Sequence, residues 1–401
     1  MFPVNDYSVE RVGPSFLMTE IAYISSGEVS DSWKGFGRSW GHSLHRIMSR
    51  TGSFPPALAR WVVTRFSERG DLVLDPFSGK GTAPLEACLT GRVGVGNDLA
   101  PEAYVVTRAK VKPAMFRDVR SWVEKASRVM RPDAVSVYDV DEDVRAFYHP
   151  QTLKQILAVR ELLLDSEDDV TNFVKACMLG ILHGSSEISL SVPCSHSFSM
   201  APRYMRRYVA EHGLKKPVRN VLACLLRKAE SVLADGLPEA RGAAFNMDAS
   251  ALPIADESVD LIVTSPPYLN LQTYAWDNWL RLWFLGHDYR VVGKRLFATQ
   301  SVKRYVEFMG RVLDEFFRML KPGGYCVLVV GDVKSGGRRV DLAELLVEPA
   351  EKSGFTARAI ISDGIRRGHK YLMYLKSWQG VDREKVLVLS KGEPRRMVRI
   401  A

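Results

Sequence analysis

Cysteine is scarce in this 401-residue chain: Cys88, Cys177, Cys194, Cys224 and Cys326, with no CxxC among them. An odd, scattered set builds no disulfide framework and fits a reducing compartment. Cys177, His183, Cys194 and His196 lie close in sequence, but their spacing matches no common zinc pattern, so no metal is expected. No apolar run approaches the ~20 residues that cross a bilayer, so no membrane partner is expected. The opening MFPVNDYSVE has neither a basic n-region nor an apolar h-region, so a secretory signal is not expected either. An acid excess is also missing. Lys plus Arg total 55 against 46 Asp plus Glu, a net charge of +9, which favours an anionic partner. There is no internal repeat and no low-complexity tract. With 46% hydrophobic and 25% charged residues, a wholly disordered or collagen-like chain is excluded.

What is present has an α/β rhythm. Residues 1–52 read as an irregular N-terminal arm. Within it, Asp31–Arg50 interleaves Trp33, Phe36 and Trp40 with Lys34, Arg38, Arg46 and Arg50. That composition suits either an arm packed on the core or a nucleic-acid contact. From residue 53 the order is helix (PPALARWVVTRFS), strand (DLVLDPF, 71–77), helix, strand (VGVGNDL, 93–99), helix. Short connections between these elements predict a doubly wound, mostly parallel sheet. Residues 113–240 interrupt the rhythm and read as a mainly helical insert, acidic at its start and basic at its end. Strands return at GAAFNMD, VDLIVTSPPY, YCVLVVGDV, FTARAIISDGI and EKVLVLSKG, the last two as an antiparallel pair. The expected fold is therefore a seven-stranded Rossmann-like sheet in two parts, 53–112 and 241–401, around the insert.

Two motifs carry chemistry. In Asp75–Thr82 (DPFSGKGT), a strand ends, Gly79 and Gly81 allow close backbone approach, and a helix begins at once. The helix start offers free N–H groups and positive partial charge. It is neither a Walker A loop nor a GxGxxG fingerprint. Asp98, ending the next strand, suits the two hydroxyls of a ribose. The second motif is Thr264–Tyr268 (TSPPY), directly after the apolar run VDLIV. Pro266 and Pro267 fix the loop, so that Ser265 Oγ and the Pro266 carbonyl can face one small polar group. Tyr268 supplies an aromatic face for a planar ring.

Together DPFSGKGT and TSPPY resemble the S-adenosylmethionine-dependent methyltransferases that modify exocyclic amino groups of DNA bases. The resemblance spans residues ~54–112 and ~241–392, and FPPA at Phe54–Ala57 is similar to that family's extra cofactor motif. It implies S-adenosylmethionine as cofactor, held by Phe54, Asp75, Pro76, Phe77, Gly79, Gly81 and Thr82. It also implies Asp98 at the ribose and Asp248 with Ala249 near the adenine. Ser265, Pro266, Pro267 and Tyr268 would hold a target base flipped out of double-stranded DNA. Ser rather than Asp at position 265 leans toward cytosine N4, leaving adenine N6 and structured RNA open. The resemblance further allows a cognate restriction endonuclease as partner and a cytoplasmic, nucleoid-associated location. Carbon-5 methylation is disfavoured, because the only Pro-Cys pair, Pro193-Cys194, lies in the insert.

The order of the two motifs, cofactor loop first, differs from many SPPY members. The insert is the expected target-reading part, through Arg203, Arg206, Arg207, Lys215 and Lys216 among Phe198, Tyr204 and Tyr208. Arg366 and Arg367 are candidates for a second backbone contact. Trp276, Trp279 and Trp283, at helical spacing, read as packing residues. A rival of another class is a non-catalytic nucleic-acid-binding protein that keeps the fold.

Overall fold

A computed structural model describes residues 21–29, 33–37, 40–49, 53–164, 166–194, 201–269, 274–335, 338–364, 383–398 and 400. Its centre is a mixed sheet. In chain order the strands are β1 (Ala22–Ser25), β2 (Leu72–Asp75), β3 (Val93–Asn97), β4 (Ala243–Phe245), β5 (Val259–Thr264), β6 (Leu320–Gly331), β7 (Val333–Ser335), β8 (Arg338–Val340), β9 (Thr356–Gly364) and β10 (Arg383–Ser390). Eight of them form one sheet in the order β1-β9-β10-β6-β5-β2-β3-β4, while β7 and β8 make a separate hairpin. Only β10 runs antiparallel to its neighbours β6 and β9.

The seven expected strands are all in this sheet, and the eighth, β1, comes from the arm that the sequence reading left irregular. β1 pairs parallel to β9 at the edge, from Ala22 opposite Ala359 to Ser25 opposite Ser362. Its four residues are mostly exposed, so no burial pattern marked them in the sequence.

The central strands are mostly apolar because both faces are covered. Side chains alternate between two cores. Leu74, Ile262, Cys326 and Leu328 share a core with the helices Val302–Met319 and Leu342–Lys352. Val73, Leu261, Val263 and Val327 face helix α1 (Pro56–Phe66) and part of α2 (Thr82–Leu89) on the other side. The long helix Val302–Met319 buries Tyr305, Phe308, Met309, Val312, Leu313 and Phe316, a spacing of three and four that lays one stripe on the sheet.

Helices at Phe116–Val129, Pro150–Leu164, Asp169–Ile181, Pro202–Glu211 and Val221–Val232 form a third core against α3 (Pro101–Val111). Leu44, Ile47 and Met48 of the arm enter that core. Ser43 fastens the arm there: its Oγ donates to the Val232 carbonyl at 2.8 Å, and its N–H donates to Asp235 Oδ2 at 2.7 Å. Among the described residues no helix is long and apolar enough to cross a membrane.

Candidate active site

The chain runs outward from β2 to β3 and β4, then returns to β5 on the other side of β2. Connections leave neighbouring strands in opposite directions there, opening a crevice at their carboxyl ends. Both motifs lie at this switch point. Asp75 ends β2 and Thr264 ends β5, and the two touch: Thr264 Oγ1 donates to Asp75 Oδ1 at 2.6 Å. The Phe77 N–H donates to the same carboxylate oxygen at 3.2 Å and to Thr264 Oγ1 at 3.3 Å. The glycine-rich loop and the TSPPY loop are therefore held in register by one buried carboxyl. Burial pushes the Asp75 pKa up from 3.8 to about 7, against the hydrogen bonds from Thr264 and Phe77.

Beyond this tie lies a cleft of ≈ 780 Å³, including its open mouth. Phe77 and Gly79 from the first loop, and Asp98 after β3, line it. Asp248 and Ala249 follow β4 on the same wall, and Ser265 to Tyr268 face them. Gly79 has φ of 53°, the left-handed region that favours glycine. Its N–H donates to Asp98 Oδ2 at 2.9 Å, and the Ala100 N–H donates to Oδ1 at 2.9 Å. The Asp98 carboxylate is thus aimed and half-buried, with acceptor capacity left on both oxygens.

Ser265 Oγ donates to the Tyr268 hydroxyl at 3.1 Å. With its proton so engaged, the serine oxygen can offer lone pairs to an N–H group. Burial pushes the Tyr268 phenol up, so it stays protonated at neutral pH. The Tyr274 hydroxyl accepts from the Tyr268 N–H at 3.4 Å and holds the far end of the loop.

Other expected residues do not reach the cleft wall. Phe54 is buried among Leu58, Trp61 and Val62 on the α1 face. Asp75, Pro76 and Thr82 lie behind the wall. Gly81 serves packing: a Cβ there would stand 2.9 Å from the Thr107 Cα, so its bareness lets α2 meet α3. Arg203, Arg206, Arg207 and Lys215 are exposed, but carboxylates oppose two of them, one from the acidic start of the insert and one from the same helix. Arg206 contacts Asp143 at 2.5 Å, and Arg207 approaches Glu211 at 3.6 Å. Lys216 instead donates to the Arg145 carbonyl at 2.7 Å. Arg366 and Arg367 lie outside the described residues, as does His196. Trp279 packs on Phe147, whereas Trp276 is 39% exposed beside Tyr289.

Sequence reasoning missed two parts of the site. Asn97 is buried, and its amide bonds the Pro76 and Met247 carbonyls while its Oδ1 accepts from the Met247 N–H. It ties the glycine-rich loop to the Asp248 loop. A polar residue ending an apolar strand was the available signal. The second part is Arg295, Leu296 and Phe297, which also line the cleft, with Phe297 stacked on Phe308 at 3.8 Å between centroids. No motif marks it.

The sequence model of the family described as DNA methylase matches residues 19–109 and 259–373, about half the chain. Over 94 residues the chain is 28% identical to the type II beta methyltransferase M.BslI of a Bacillus species (strain NEB-606). That match takes in 20% of this chain and 10% of the relative, so the chain spans a tenth of that protein's length. Among solved structures, TrmN from Thermus thermophilus aligns at 15% identity over 87% of this chain and 52% of its own, with a TM-score of 0.34. A putative DNA modification methylase from Thermus thermophilus, complexed with S-adenosyl-L-methionine, aligns at 24% identity over 37% of this chain and 51% of its own, with a TM-score of 0.23.

Proposed function

Since the chain belongs to the DNA methylase family, we propose that it transfers a methyl group from S-adenosylmethionine to an exocyclic amino group of a base in double-stranded DNA, with cytosine N4 as the target atom. The observation that carries this reading is the pairing of an aimed carboxylate, Asp98, with a proton-spent serine oxygen, Ser265 Oγ, in one cleft.

The residues present fit the cofactor. Asp98 retains acceptor capacity for ribose hydroxyls. Gly79 presents bare backbone on the same wall, and Asp248 with Ala249 completes the side suited to the adenine. When bound, the sulfonium supplies an electrophilic methyl group. The chain's own task lies with the amine. An exocyclic amine is a weak nucleophile because its lone pair is delocalised into the ring. Ser265 Oγ and the Pro266 carbonyl accept its two hydrogens and favour a pyramidal nitrogen. Charge developing on that nitrogen meets acceptors already in place. The N–CH₃ bond forms as the S–CH₃ bond breaks, and the excess amine proton passes to solvent. Closely aligned reactants supply the rest, and no covalent nucleophile is needed. Tyr268 offsets part of the cost of unstacking the base. The rigid Pro266-Pro267 pair and the Tyr268–Tyr274 bond keep these acceptors in position.

The test is product identification. The protein is incubated with tritium-labelled cofactor and unmethylated genomic DNA, with total RNA in parallel, and the labelled nucleosides are separated. Label in N4-methyldeoxycytidine is expected. Label in N6-methyldeoxyadenosine would overturn the base assignment, and label only in RNA would overturn the substrate. Cofactor binding with no label in either pool would favour a non-catalytic nucleic-acid-binding protein.

A further inference from the structure

A second open groove shares no lining residue with the active cleft. It runs along the outer side of α1, between the arm and the C-terminal segment around Arg396, and measures ≈ 1050 Å³ with its open mouth. Rings and guanidinium groups alternate in it. Phe36 lies 4.7 Å from Trp40. Arg60 sits over the Trp40 ring at 5.6 Å, and Arg65 over the Trp61 ring at 5.5 Å. Arg396 and Met397 form the other bank. No carboxylate lines the groove among the described residues. Three acids outside it hold lining residues: Glu86, fully buried, holds Arg60; Asp363 accepts from the Trp33 ring N–H at 2.9 Å; and the exposed Glu68 stands 3.7 Å from Arg396. Phe36 is 51% and Met397 83% exposed, a large apolar display for a surface with no partner.

We propose that this groove is an accessory binding site for single-stranded nucleic acid. Flat apolar rings beside arginines fit unpaired bases and their phosphates at once. Stacking takes any base, and guanidinium groups track the backbone. A protein partner would not need three guanidinium groups set beside flat rings, and a duplex would keep its base faces away from Phe36 and Trp40. The groove lies on the face of the sheet opposite the helix Val302–Met319, away from the target pocket. It therefore gives the protein a hold on unpaired strands that methyl transfer does not require.

The experiment is fluorescence anisotropy with the full chain and a labelled mixed-sequence single strand of about 20 nucleotides, beside the matching blunt duplex. Phe36→Ala is expected to weaken single-strand binding by about 5- to 100-fold and duplex binding much less. Arg396→Ala is expected to reduce the slope of log affinity on log salt by about 0.7 for the single strand. Arg396→Glu, at an exposed position, serves if Phe36→Ala proves unstable. Unchanged single-strand affinity in these variants would overturn the proposal. So would a variant that abolishes self-association in sedimentation while leaving strand binding intact, because the groove would then be a protein contact. No methyl transfer is measured, so failure here leaves the proposed reaction standing.

Discussion

Replacing Asp75 by Asn should flatten the pH dependence of stability across the weakly acidic range. Asp75 is 2% exposed at the centre of the tie between the two loops. In the unfolded chain its carboxyl ionises near the ordinary 3.8, and in the fold burial raises that to about 7. The sign follows from proton binding. Between these two values the native state holds a proton that the unfolded state has released, so stability falls as pH rises. Below 3.8 both states are protonated, and above about 7 both are ionised, so the cost is constant outside the window. A shift of this size corresponds to ~4 kcal/mol, lost progressively from pH 4 to pH 7. Asn keeps an acceptor for Thr264 and Phe77 but cannot ionise. Urea unfolding followed by circular dichroism from pH 4 to pH 8, parent against variant, cancels the other titrating groups. The variant is expected to gain on the parent by ~4 kcal/mol over that range, most of it below pH 7. A parent–variant difference that stays constant with pH would refute the argument that burial controls this carboxyl.

Two further outcomes test the packing around the site. Thr264→Val removes both the 2.6 Å donor to Asp75 and an acceptor for the Phe77 N–H, and should cost ~1–3 kcal/mol, more at pH 8 than at pH 5; Thr264→Ser should restore it. Gly94→Ala would put a Cβ 2.0 Å from the Pro84 carbonyl oxygen, where α2 crosses β3, and should cost ~1–3 kcal/mol or more in thermal unfolding. Gly310→Ala, in an open helical position with nothing within 4 Å, should instead stabilise by ~0.5–1 kcal/mol.

Much of the sheet was legible because its strands are buried on both faces. LVLD and VDLIVT are mostly apolar, broken by Asp260 and ending in Asp75 and Thr264, and turn residues follow them directly. β1 was not legible: AYIS is short and exposed, and it becomes a strand only because the β9 edge, far away in sequence, offers partners. The same contrast holds at the site. The loops with fixed chemistry, around Gly79 and Ser265, announce themselves by glycine and proline. Phe297 and Arg295 reach the cleft through tertiary packing of a segment with no local signature. Within the glycine-rich motif, sequence could not separate residues that face the cleft from residues that let helices meet. Gly79 does the first and Gly81 the second, although both are positive-φ glycines of the same loop. In the insert, reading charge along the chain hid the Arg206–Asp143 contact, which joins two segments some sixty residues apart.

In the proposed reaction Ser265 acts on the amine in the transition state and not on the cofactor. Ser265→Ala should be measured with titration calorimetry for S-adenosylmethionine and with single-turnover methyl transfer to DNA. Unchanged cofactor affinity is expected, with a methyl-transfer rate lowered by ~10²–10³-fold, the usual loss for one aimed hydrogen-bonding group at a developing charge. Transfer at the parental rate, or a loss fully explained by weaker cofactor binding, would contradict it.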